Sequence, residues 1–182
     1  MNLTNYFLKK EIQRLVNKAS DRPHQYRSMN DVKNILFICD SKDWDIGRHC
    51  VEQLKSMNKT VGTAIFAKTE KDVPTWYSNY LLLRADSDVN LWGFPDKSIQ
   101  KQFFNLPADL LLNFSREQSS AMFYLFLKHP STFKAGIKHS EKSVYDFSII
   151  PPEDNNDFQY LFDQLLNYLK AITSNNQETQ NI

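Results

Sequence analysis

Six short apolar runs, separated by amphipathic stretches, constrain this chain more than any other feature. The runs fall at residues 34–39, 60–67, 80–84, 109–114, 133–137 and 145–150. Continuous apolarity, as in the first run, marks a strand covered on both faces, the usual state of strands in a parallel sheet. The stretches between carry helical spacing. Ile46, Cys50, Val51, Leu54 and Met57 share one side of residues 46–57, and Phe158, Leu161, Phe162, Leu165, Leu169 and Ile172 share one side of residues 157–172. Shorter helices are predicted at 97–104, with Asp96 as N-cap, and at 117–127. Strands alternating with helices imply right-handed crossovers. The expected fold is α/β and Rossmann-like: a mainly parallel sheet of about six strands in the order 3-2-1-4-5, strand 6 at an edge, helices on both faces.

An additional helix precedes the first strand. Leu3, Phe7, Leu8, Ile12, Leu15, Val16 and Ala19 form one stripe, with Lys9, Lys10, Arg14 and Lys18 elsewhere around it. Residues 1–33 carry a local charge of +4, so the remainder is near −3. Pro23 among Ser20, Asp21 and Ser28 marks a linker. The expected organisation is an N-terminal amphipathic helix and linker (1–30), a Rossmann-like domain (31–173) and a tail (174–182) too polar to bury anything and expected to be disordered. The first helix is expected to pack on this domain or on a second copy, so the first or last helix is a candidate homodimer surface.

Composition excludes several function classes. A net charge of +1 supplies no field to draw in nucleic acid. Cys39 and Cys50 match no zinc spacing and are too few for a disulfide framework, which points to a reducing compartment. No apolar run approaches the roughly 18 residues of a membrane span and no secretory leader is evident, so a cytoplasmic location is expected. Glycine is scarce, at four residues. Neither G-x-G-x-x-G nor G-x-x-x-x-G-K-[ST] occurs, so no nucleotide cofactor and no P-loop site is predicted.

In open α/β sheets ligands sit beyond the carboxyl ends of the strands, where strand order reverses. Here that crevice lies between the first strand, which opens ILFICDSKDWDIGRHCVEQL, and the fourth. The residues predicted to face it are Asp40, Ser41, Lys42, Asp43 and Trp44 from one loop and Ser115, Arg116 and Glu117 from the other, with His139 after the fifth strand nearby. One reading has Ser41, helix amides and Arg116 clamp an anion. The plainer one has Asp43 or Asp45 cap the following helix. Asp40, Asp43 and Asp45 have the residue types for magnesium or for acid–base work, and Asp43-Trp44-Asp45 has a D-x-D form, but it stands late after the strand for a nucleophile, and no metal site is assigned. Cys39, between Ile38 and Asp40, is poorly placed for thiolate chemistry. Trp44, Trp76, Tyr77, Trp92 and Phe94 fall in or near predicted loops, where an exposed ring suggests a partner; residues 92–95 are expected to fold over the sheet edge.

"ADLLLNFS", "FKAGIKH", "YDFSII" and the "WGFP" break resemble a small uncharacterised protein family of Bacteroidetes, from the first helix to the last. More remotely, ADLLLNFS, a helix and then FKAGI resemble the acceptor half of a GT-B glycosyltransferase of the heptosyltransferase kind. That resemblance implies a catalytic aspartate where Asp40 or Asp43 stands, but the loop lacks the accompanying glycine and the nucleotide-sugar domain has no counterpart. The sequence therefore reads as a non-catalytic binding or interaction domain. The alternative is a small enzyme acting on a phosphorylated or sugar-containing metabolite at the Asp40 crevice.

Overall fold

The computed structural model describes residues 5–74, 79–117, 119–138, 144–152 and 156–172. After helix α1 (Tyr6–Asn17), the elements follow in the order β1 (Asn34–Asp40), α2 (Trp44–Ser56), β2 (Thr60–Ala67), β3 (Leu81–Arg84), α3 (Lys97–Asn105), β4 (Leu110–Asn113), α4 (Ser120–Lys128), β5 (Lys134–Ile137), β6 (Phe147–Ile149) and α5 (Phe158–Ala171). The six strands form one sheet in the order β3-β2-β1-β4-β5-β6. Every neighbouring pair is parallel. The expected order and class hold, with β6 at the edge. The polar tail and the aromatic pair Trp76 and Tyr77 lie outside the described residues.

The alternating side chains of the central strands divide between two cores. Ile35, Phe37 and Cys39 of β1, with Leu110 and Leu112 of β4, face α2 and α5. Leu36, Ile38 and Leu111 face the other way, toward α1, α3 and α4. In α1, Leu8 is buried and Ile12, Leu15 and Val16 pack against the same cluster, so the apolar stripe is covered by the chain's own α4. On α4, Ala121, Met122, Leu125 and Phe126 supply the complementary surface.

Two further findings correct the expectations for loop aromatics. Trp44 is the first residue of α2 and is buried, its ring against Tyr80 rather than in an open loop. Trp92 does not cover the sheet edge. Residues 90–95 form a tight turn closed by a bridge between Val89 and Pro95, and Trp92 stands edge-on to Phe7 of α1, with ring centroids 5.0 Å apart. The reason is local: Gly93 takes φ +86°, and its bare α-carbon lies against Asn5 and Leu8, where a Cβ would come within 2.6 Å of the Asn5 side chain.

Gly136 lies where its neighbour strand leaves no room for a side chain. It pairs with Asn113, and a Cβ built on it would lie 2.2 Å from the Asn113 carbonyl oxygen. A backbone atom cannot move aside as a side-chain tip can. Gly136→Ala is therefore expected to destabilise the protein by about 3 kcal/mol, near the upper end of the usual range for overpacking. A urea titration of the two proteins measures this, and a change below about 0.5 kcal/mol would contradict the close pairing.

Candidate functional site

The crevice between β1 and β4 is held shut by the residues predicted to line it. Ile38 pairs with Asn113, so Asp40 stands two residues beyond the last rung shared with β4 and level with the loop that follows it. The buried Asp40 carboxylate accepts the Ser115 hydroxyl at 2.6 Å and the backbone N–H groups of Arg116 and Glu117 at 2.6 and 2.8 Å. Burial raises its pKa, opposed by these three donors.

Outside it, Arg116 binds Asp43 through two nitrogens, Nε at 3.0 Å and the terminal Nη2 in closer contact, and donates Nη1 to the Asn156 carbonyl at 3.0 Å. Its guanidinium lies over the Phe158 ring, 5.5 Å from the centroid. Glu117 pairs with Lys42 at 2.8 Å and with Lys68 at 3.1 Å. Burial alone would raise the Glu117 carboxyl, but those two lysines outweigh it and leave the pKa lowered.

Asp40, Lys42, Asp43, Ser115, Arg116 and Glu117 are thus joined to one another, and Asp40 and Arg116 do not converge on an open pocket. Asp43 occupies the N-cap position of α2 but makes no side-chain cap bond, because its carboxylate is committed to Arg116. The sequence could not signal this pairing, which joins loops 73 residues apart. The three aspartates do not gather either: Asp40 turns to amides, Asp43 to Arg116, and Asp45 is exposed on the first turn of α2. Ser41 and Lys42 belong to a single 3-10 turn with Asp43. His139 lies outside the described residues.

Open space lies one strand over. A cavity of about 320 Å³ opens on the α1 and α4 side, at the carboxyl end of β4. Asn113 and Ser115 form its base; Ser119, Ser120, Met122 and Phe123 of the α4 start form one wall; Val144 and Tyr145 form another. Lys9, Ile12 and Gln13 of α1 roof it. Asn113 has the parity of Leu111 and so faces this side, donating to the Tyr145 hydroxyl at 2.9 Å and accepting the Ser115 N–H at 3.1 Å. Ser119 is the N-cap of α4, its side chain accepting the Met122 N–H. Lys9 is the charged member of the described lining. Asn113 carried one overlooked signal: a buried amide at the last position of an otherwise apolar strand.

Other reactive-looking groups have structural duties. Burial pushes the Cys39 thiol well up and the Cys50 thiol up to about 12. His129 uses both ring nitrogens, Nε2 at 3.1 Å from the Leu106 carbonyl and Nδ1 accepting the Ser131 N–H at 3.1 Å. Burial lowers its pKa to about 4. The buried Lys134 ammonium donates to the Phe126 and Leu127 carbonyls at the end of α4, at 2.8 and 3.0 Å, and burial lowers its pKa to about 7. Among the described residues no three His, Cys, Asp or Glu side chains cluster as a metal site would, and no helix is long and apolar enough to cross a membrane.

Fold and site together define a parallel α/β domain with its switch-point crevice sealed and a roofed cavity beside it. The chain belongs to a family of unknown function (DUF6913), whose model matches residues 5–172. No curated protein sequence matches it. Among solved structures it is similar to an exopolyphosphatase-related protein from Bacteroides fragilis, with a TM-score of 0.53 and 14% identity over 86% of this chain and 44% of that one. The chain spans less than half the length of that protein, and at this identity the likeness shows the fold alone. This structural neighbour is not a GT-B glycosyltransferase.

Replacing Asp40 by alanine leaves two loop amides without their acceptor and is expected to cost about 2 to 4 kcal/mol, whereas Asp45→Ala, at an exposed first-turn acid, should cost at most about 1. Chemical denaturation of both variants tests the difference; equal effects would show that Asp40 is not the tie between the loops. For His129, the unfolded chain binds a proton near the ordinary histidine value of 6.5 while the folded one resists until about 4, so the unfolded state holds more protons between those values. Its contribution to stability is complete above about pH 6.5 and declines as pH falls toward 4. Denaturation across that window should show a shallower pH slope in His129→Gln than in the parent, and an NMR titration should find the ring neutral until about pH 4.

Proposed function

We propose that the protein is a non-catalytic binding domain whose ligand is a small organic molecule seated in the cavity between β4, α1 and α4. One observation carries this reading: about 320 Å³ of space, at the carboxyl edge of the sheet, with an apolar body and a polar end. Ile12, Met122, Phe123 and Val144 suit an aliphatic or aromatic body. Ser119, Ser120 and Asn113 suit hydrogen bonds to its head. A carboxylate or phosphate head fits best, because Lys9 is the charge in the described lining and the start of α4 carries positive potential. The neighbouring crevice does not suit a ligand of this kind, since its charges already neutralise one another.

The second reading is an enzyme acting on a phosphorylated metabolite. It is favoured by the anion-favouring end of the same cavity and by the description of the structural neighbour as exopolyphosphatase-related. Against it, the acids of the adjoining crevice are committed, Asp40 to amides, Asp43 to Arg116 and Glu117 to two lysines.

The test is an amide NMR screen of the full chain with sugar phosphates and small aromatic or aliphatic carboxylates. Binding compounds should perturb Ser115 and residues 119–123 and 144–145, and Ser120→Trp, which fills the cavity, should abolish the perturbation. A silent screen, or shifts that persist in Ser120→Trp, would refute the cavity as the site. Phosphate release from the same sugar phosphates in the presence of magnesium or manganese would replace the first reading by the second.

A further inference from the structure

The opposite side of α1 carries a second opening that the cavity does not use. The helix presents Lys9, Ile12 and Gln13 to the cavity, and Phe7, Lys10, Glu11 and Arg14 to a groove of about 620 Å³ whose other side is Trp92, Phe94 and Tyr124. Four aromatic rings therefore line one exposed trough. Leu91 and Trp92 at its lip are 82% and 54% exposed, a degree of apolar exposure that soluble surfaces seldom concentrate in one place.

The lip is rigid. Asn90 accepts the Trp92 and Phe94 N–H groups on its side-chain oxygen at 2.9 and 3.2 Å, and the Gly93 N–H closes the turn on the Asn90 carbonyl at 2.8 Å. Gly93 seats the turn directly on α1. Phe94 packs edge-on against Tyr124, with centroids 5.3 Å apart. A preformed aromatic surface of this kind loses little conformational freedom on binding. Such residues are where binding energy concentrates in interfaces.

The rim is cationic. Glu11 is neutralised by Arg14, which grips it at 2.6 and 2.8 Å, leaving Lys10 as excess charge. Lys128 adds another, its ammonium 5.2 Å from the Tyr124 ring centroid and 3.1 Å from the Tyr124 hydroxyl. We infer that this groove docks an acidic segment of another protein, which inserts one or two aromatic or aliphatic side chains between Phe7 and Trp92 and sets its carboxylates against Lys10 and Lys128. Charge complementarity selects that occupant. A second copy would bring one basic helix against another, and a flat bilayer would meet the lip without filling the trough.

Selection of displayed random peptides on the full chain tests this. Enriched peptides should combine Asp or Glu with aromatic or aliphatic anchors. Their affinity, measured by calorimetry, should fall by about tenfold or more in Trp92→Ala and in Lys10→Glu, with melting temperatures unchanged. Enrichment without acidic residues, or binding indifferent to both substitutions, would overturn the inference. So would co-sedimentation with phosphatidylcholine–phosphatidylserine vesicles that Trp92→Ala abolishes, which would assign the face to lipid. Concentration-dependent dimerisation abolished by Trp92→Ala would assign it to a second copy.

Discussion

The Asp40 carboxylate, at the carboxyl end of the central strand β1, is the contact on which the arrangement of this sheet edge rests. It accepts the Ser115 hydroxyl and two consecutive amides of the loop leaving β4. A buried carboxylate is tolerated only where donors replace water, and three of them do so here. The tie fixes the course of the β4–α4 connection. Arg116 is thereby aimed at Asp43 and at the Phe158 ring, and Glu117 at two lysines. The position that many α/β proteins give to a ligand is filled by the chain's own charges.

The β4–α4 loop is tied to β1, and beside it the start of α4 borders open space above Asn113. α1 lies across this space because its stripe from Leu8 to Val16 packs on α4. The same helix thus completes a cavity with one side and an aromatic groove with another. Function, on this reading, belongs less to the Rossmann-like core than to the helix added in front of it.

Strand and helix identities were legible because they are short-range properties. The run from Ile35 to Cys39 is apolar at every position, and the spacing of Phe158, Leu161, Leu165 and Leu169 admits only a helix. The aromatic roles were less legible. Trp44 looks like a loop residue beside Asp43 and Asp45, but its ring found Tyr80; Trp92 looks like a cover for the sheet, but Gly93 turned it onto α1. Asn113, Ser119, Tyr145 and Lys9 raise no local signal as a set, since they come together only through sheet pairing and the docking of α1.

By itself the sequence determined the succession of strands and helices and, through the handedness of crossovers, a mainly parallel sheet. Those are consequences of side-chain periodicity and backbone chirality, both local. Only the tertiary structure decided which polar ends would meet. Asp40, Asp43 and Arg116 carry the same chemistry whether they surround a ligand or one another. The register that sets Ile38 beside Asn113, and so Asp40 level with the Arg116 loop, decided that they bind one another.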